Sequence, residues 1–142
     1  MSAAAASTFS HPVRIYWEDT DAGGVVFYAN YLKYFERART EWLRALGFGQ
    51  QRMRADKGLI FVVTDTHIRY LQPARLDDQL DITVQLAAAA RATLTLAQAA
   101  LRGATVLADS RITLACVEAE TFRPKRLPQL ILDALTSQPG KP

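Results

Sequence analysis

The stretch from Ala29 to Gly47, ANYLKYFERARTEWLRALG, decides the fold. Tyr31, Tyr34, Phe35, Ala38, Trp42, Ala45 and Leu46 recur at helical spacing, while Lys33, Arg37, Glu41 and Arg44 fall on the opposite side. The spacing predicts one long helix with Asn30 as its N-cap and Gly47 as a left-handed stop. Working outward, Gln50 to Lys57 is polar and adds a short helical turn that Gly58 breaks. Beyond Gly58 the period changes from helical to alternating. Phe61 to Tyr70 is rich in β-branched and aromatic residues, and Pro73-Ala74-Arg75-Leu76-Asp77-Asp78 supplies a turn. Ile82, Val84 and Leu86, then Leu94 and Leu96, then Ile112, Leu114 and Cys116 alternate with polar neighbours, with a turn at Arg102-Gly103. The alanine runs at 87–90 and 97–100 read as strand ends because Leu-Thr-Leu alternation flanks them. Leu130, Ile131, Ala134 and Leu135 suggest a short terminal helix.

Upstream of the long helix, Val13, Ile15 and Trp17 share one face and Arg14 and Tyr16 the other, as in a strand. The order is one strand, one long helix, then a meander of about four antiparallel strands. A helix apolar around so much of its circumference needs a sheet curled over it, which predicts a single two-layer α+β domain. A chain of 142 residues, 49% of them hydrophobic, suffices for one core. The expected boundaries are a disordered tail over 1–10, the domain over 11–136 and a second tail over 137–142. Met1 to Ser7 lacks the charged first region and apolar core of a signal peptide. No apolar run approaches the roughly 20 residues that span a bilayer. Cys116 is the single cysteine, so an intrachain disulfide is excluded and the cytoplasm is the expected location. The net charge of +3 suits an anionic ligand, while scattered basic residues fit nucleic-acid binding poorly.

The usual catalytic signatures are missing: no Gly-x-Ser-x-Gly elbow, no His-Glu-x-x-His, no Walker loop and no cysteine pair for zinc. His11 and His67 read as surface or strand histidines, and Cys116 as core. What remains is the run Asp19-Thr20-Asp21-Ala22-Gly23-Gly24-Val25-Val26-Phe27-Tyr28 that leads into the long helix. A carboxylate just before a Gly-Gly turn that feeds a helix start lies beside free N–H groups and the positive end of the dipole. Such an end can hold the oxyanion of an acyl-transfer intermediate, while the carboxylate attacks the carbonyl or deprotonates water. A thioester suits this best, since a thiol of pKa about 8.5 departs without a strong general acid. Asp-rich turns also commonly serve only to bond their own backbone, and Asp19 fits that role.

The run Val13 to Val26, VRIYWEDTDAGGVV, continued by Ala29 to Glu41, resembles the hot-dog-fold acyl-CoA thioesterases of the 4-hydroxybenzoyl-CoA thioesterase family. It is most similar to the branch associated with the bacterial Tol-Pal system. The likeness extends through Tyr70 to Asp78 and Glu120 to Pro124. It implies a long helix wrapped by an antiparallel sheet, association into homodimers or dimers of dimers, and active sites at the dimer interface. By the same resemblance Asp21 is the catalytic carboxylate, the Tyr28 N–H polarises the thioester carbonyl, and Gly24 and Val25 touch substrate. No cofactor and no metal is implied, CoA being part of the substrate. The branch usually has histidine where Tyr28 stands and tyrosine where Trp17 stands, so a histidine-dependent mechanism is unavailable here, and Trp17 is expected to pack. In the hydroxybenzoyl-CoA relative a basic cluster before the fourth strand meets the CoA phosphates. Arg91 alone survives from it, and Arg123, Lys125 and Arg126 offer alternative charge. Tyr28, Tyr31 and Phe61 suit an aromatic or short acyl group, although core packing explains them equally. The alternatives are hydrolysis of thioesters on acyl carrier protein, or a non-catalytic thioester-binding scaffold.

Overall fold

The structure is a computed structural model and describes residues 8–137. Residues 1–7 and 138–142, most of the two expected tails, lie outside the described residues. Phe9 and Ser10, assigned to the first tail, instead open strand β1 (Phe9–Arg14), where Phe9 pairs with Val84 of strand β3 (Gln79–Ala89) and packs on the core. Ser137 closes the last helix, α3 (Gln129–Ser137), rather than opening a tail.

Helix α1 (Asn30–Ala45) takes its place from its apolar stripe: Tyr31, Tyr34, Phe35, Ala38, Trp42 and Leu43 are all buried. Trp42 is 1% exposed, and truncating such a side chain to alanine costs about 3–5 kcal/mol. Gly47 ends the helix at φ +93°, where a side chain would be strained. The start differs from expectation. Asn30 is the first helical residue, not the cap, and its carboxamide donates to the Asp19 carbonyl (2.9 Å), tying the helix to the preceding turn. A second helix, α2 (Gln50–Lys57), follows and ends at the left-handed Gly58.

Strands β2 (Leu59–Tyr70), β3 (Gln79–Ala89), β4 (Thr93–Arg102) and β5 (Thr105–Glu118) join β1 in one antiparallel sheet of order β1-β3-β4-β5-β2. The predicted meander holds for β3 to β5 only. The flank of β3 opposite β4 is taken by β1, so β2 crosses to the far edge and pairs with β5 from Leu59↔Glu118 to Tyr70↔Ala108. Alternate residues, among them Leu80, Ile82, Val84, Leu94, Leu96, Ile112, Leu114 and Cys116, turn inward and close one core with α1. Gln98 breaks this pattern between Leu96 and Ala100. It accepts from Arg39 Nη1 (3.0 Å) and donates to the carbonyls of Phe35 (3.0 Å) and Thr83 (3.3 Å), so a polar bracket joins helix to sheet. Burial holds the Arg39 guanidinium below its usual pKa, only partly offset by Glu36.

Trp17 does not pack beside Val13 and Ile15. Asp19 Oδ2 accepts the Tyr16 N–H (2.8 Å) and curls the chain into a 3-10 turn, Trp17–Asp19, which leaves Trp17 78% exposed. Among the described residues no helix is long and apolar enough to cross a membrane.

Candidate active site

The turn between β1 and α1 is built by its own polar atoms. The Asp19 carbonyl accepts the Phe27 N–H (3.0 Å) as well as the Asn30 carboxamide, so one residue grips both ends of the excursion. Within it the Asp21 N–H donates to the Val25 carbonyl (2.9 Å), and the Gly24 N–H to the Asp21 carbonyl (3.0 Å). The carboxylate of Asp21 accepts the Gly23 N–H through Oδ1 (2.8 Å) and is exposed. Gly24 has φ +80°, and a Cβ on Gly23 would stand 3.2 Å from Asp21 Oδ1.

This turn is pinned from outside by the loop between β2 and β3. The Val26 N–H donates to the Ala74 carbonyl (2.9 Å), and Val25 pairs with Arg75. Asp78 holds that loop by accepting from the Arg75 N–H (2.8 Å) and Arg102 Nη1 (2.8 Å), and Arg102 also reaches the Pro73 carbonyl (3.2 Å). Partial burial works to raise the Asp78 carboxyl, but the Arg75 N–H and Arg102 outweigh it and keep it below the usual carboxylate range.

At the start of α1 two carbonyls are occupied and two N–H groups are not. The Phe27 carbonyl accepts the Asn30 N–H (2.8 Å), and the Tyr28 carbonyl accepts the hydroxyl of Tyr70 (3.0 Å). The N–H groups of Tyr28 and Ala29 make no hydrogen bond among the described residues, and they sit at the positive end of a 16-residue helix. Beside them Val26, Tyr28, Tyr31, Tyr70, Leu71 and Pro73 line a cleft of about 270 Å³. Its aromatic rings meet edge to face, Tyr28 with Tyr70 at 6.1 Å and Tyr31 with Tyr70 at 5.5 Å. Tyr34, behind Tyr31, has a buried hydroxyl that faces the Asp19 carboxylate, and burial followed by the Asp19 charge raises its pKa.

The arrangement therefore brings Asp21, Gly24, Val25 and Tyr28 into one loop-and-helix-start unit. Phe61 is elsewhere, in a separate cleft of about 500 Å³ with Gln50, Met53 and Ile60 between α2 and β2. Arg91, Arg123 and Lys125 form another group, all exposed. The Arg91 carbonyl accepts the Leu127 N–H (2.9 Å), the Cys116 carbonyl the Lys125 N–H (2.8 Å), and the Arg123 carbonyl the Glu118 N–H (2.9 Å). That basic end follows β3, whereas the Asp21 turn leans on the loop that precedes it. The 11 residues of β3 put roughly 35 Å between the two ends. One subunit alone does not bring them together. Cys116 is buried and its thiol is pushed up by burial, which suits packing rather than nucleophilic attack. Among the described residues no group of three or more His, Cys, Asp or Glu is placed to hold a metal ion.

The family profile described as "Thioesterase-like superfamily" matches residues 15–135, from the Asp21 turn through α3. The acyl-CoA thioesterase YbgC of Haemophilus influenzae is 43% identical over 121 residues, covering 85% of this chain and 89% of that protein. The acyl-CoA thioester hydrolase YbgC of Escherichia coli O6:H1 is 40% identical over 125 residues, covering 87% and 92%. Among solved structures, a probable thioesterase from Bartonella henselae superposes with a TM-score of 0.81 at 33% identity, covering 86% of this chain and all of that one.

Proposed function

The chain belongs to the thioesterase-like superfamily, and we propose that it hydrolyses acyl-CoA thioesters with Asp21 as the catalytic carboxylate and the Tyr28 N–H as donor to the thioester carbonyl. The observation that carries this is the pairing of an exposed carboxylate, held by Gly23, with a helix start where the N–H groups of Tyr28 and Ala29 are unengaged among the described residues. As the thioester carbonyl becomes tetrahedral its oxygen gains charge, and a fixed N–H donor there is worth about a hundred- to a thousandfold in rate. Asp21 either attacks the carbonyl carbon or takes a proton from water. The thiolate of CoA then leaves unassisted. Gly24 and Val25 line the approach.

The sheet has an unpaired edge that completes this picture. Among the described residues strand β2 is bonded to β5 on one side only, and its half-exposed Val63 faces solvent. A two-fold axis beside β2 pairs it antiparallel with its copy, laying the Leu59 end of one chain against the Tyr70 end of the other. The Tyr70 end adjoins Tyr28, and the Leu59 end adjoins the Arg123 strap through Glu118. Each Asp21 turn in such a homodimer meets the partner's Arg91, the partner's Arg123 and the partner's Lys125, which take the CoA phosphates. Acyl carrier protein presents the same thioester on an acidic surface, and the exposed basic end fits it as a second substrate class. We assign the activity to the cytoplasm, in keeping with a single free thiol.

Two measurements test this. Asp21→Asn keeps its fold and its acyl-CoA affinity and loses turnover by at least about a hundredfold; undiminished hydrolysis overturns the assignment. Co-expressing Asp21→Asn with an Arg91→Glu/Lys125→Glu chain gives mixed dimers with one intact composite site. Activity then recovers to roughly a quarter of the parent, half the dimers being mixed and half their sites whole. No recovery above the two homodimers refutes the shared site.

A further inference from the structure

Tyr70 lies 42 residues from Tyr28 in sequence and donates its hydroxyl to the Tyr28 carbonyl at 3.0 Å. Nothing about packing demands that bond. The ring of Tyr70 is already placed by edge contacts with Tyr28 and Tyr31. The bond falls instead at a sensitive place. Tyr28 is the residue between two peptide planes, and both carbonyls that flank it are anchored, that of Phe27 by the Asn30 N–H and that of Tyr28 by Tyr70. Without the second anchor the Tyr28–Ala29 peptide is free to rotate. Its carbonyl oxygen, a negative dipole end, then turns toward the place where the thioester oxygen gains charge.

From this geometry we propose that Tyr70 is a positioning residue for the thioesterase reaction: by holding the Tyr28 carbonyl away, it keeps the Ala29 N–H aimed, beside that of Tyr28, at the thioester carbonyl. Accepting a hydrogen bond at a peptide carbonyl also polarises the same peptide's N–H, here that of Ala29, and so strengthens the donor field. Burial, followed by the neighbouring Tyr28, raises the Tyr70 phenol above its usual value, so it retains the proton it donates across the physiological range. The inference rests on the assignment of Asp21 and the Tyr28 N–H made above.

Tyr70→Phe keeps the ring and removes only the hydroxyl. Assayed on acetyl-, butyryl-, palmitoyl- and benzoyl-CoA, it lowers kcat by about tenfold on the best of these, with KM within about twofold of the parent. Tyr70→Leu, which loses ring and hydroxyl, is the packing control. In an Asp21→Asn background, where bound substrate survives, the infrared band of that acyl-CoA labelled with 13C at its thioester carbonyl moves back toward its position in water when Tyr70→Phe is added. If Tyr70→Phe matches the parent while Tyr70→Leu is slow, the ring alone matters and the proposal falls. It falls equally if kcat drops while the carbonyl band stays put. Should Asp21→Asn itself turn over normally, it is the underlying active-site assignment that has failed, and the two failures are told apart.

Discussion

At Gly24 the backbone takes φ +80° so that its N–H returns to the Asp21 carbonyl while the Gly23 N–H holds the Asp21 carboxylate. Gly24→Ala imposes about 1–2 kcal/mol of strain on a non-glycine residue in the left-handed region. The turn relieves it by opening, which moves Asp21. We expect a melting temperature lowered by several degrees together with a loss of kcat of at least about tenfold, because misplacement on the order of 1 Å at a reacting group is that costly. A variant equally cool-melting but fully active shows that the turn does not position Asp21. Much at this scale is legible in sequence, since two aspartates beside a glycine pair before a helical stripe announce a constrained turn. Tyr70 is not, because its partner is the backbone of a residue 42 positions away and a backbone carbonyl leaves no mark on composition. Trp17 misleads for a related reason: alternation predicts its face only while the strand continues, and one side-chain bond from Asp19 to the Tyr16 N–H ends the strand first.

Between elements, the bracket of Arg39 and Gln98 does what an apolar stripe does not: it fixes how α1 is rotated and where it sits along the sheet. Gln98→Leu removes the acceptor of a buried guanidinium, 7% exposed, and leaves the Phe35 and Thr83 carbonyls short of a donor. Such losses cost about 2–4 kcal/mol. Chemical denaturation measures it, and Arg39→Met/Gln98→Leu recovers most of the loss if the unpaired charge is its cause. If the double variant is as unstable as the single, packing at position 98 is the cause instead. Helix α1 was readable nearly to the residue from its period. The strand order was not: alternation gives each strand a face but no partner, and β2 lies beside β5 because β1 fills the free flank of β3.

Across the whole molecule two aspartates link stability to pH. Asp109 takes a two-pronged bond from Arg69 on the neighbouring strand, which holds its carboxyl below the usual range, and Asp78 is held low by Arg75 and Arg102 against partial burial. Both pKa values are depressed on folding, so the stabilisation is complete above the unfolded value of about 3.9 and is lost as pH falls through the folded values. Melting temperature should stay level from neutral pH to about 5 and drop below about 4. Asp78→Asn/Asp109→Asn lowers the plateau and flattens that drop; an unchanged acid limb assigns the drop to other carboxylates. Fold class was legible at this scale, since a helix with this much apolar surface permits few architectures. The distance between Asp21 and the basic surface was not, because only the strand pairing reveals that they stand at opposite ends of β3. The open edge of β2 has one more consequence. A subunit alone displays the outward-pointing half of the main-chain groups of a 12-residue edge strand beside a half-bare valine, a template on which an extended peptide can grow. Asp65, Arg69 and the break in register after Val63 blunt that template, but they do not remove it. In the homodimer proposed above that edge is covered, so dilution, which favours separate subunits, should raise the tendency to aggregate, as light scattering across a concentration series would read.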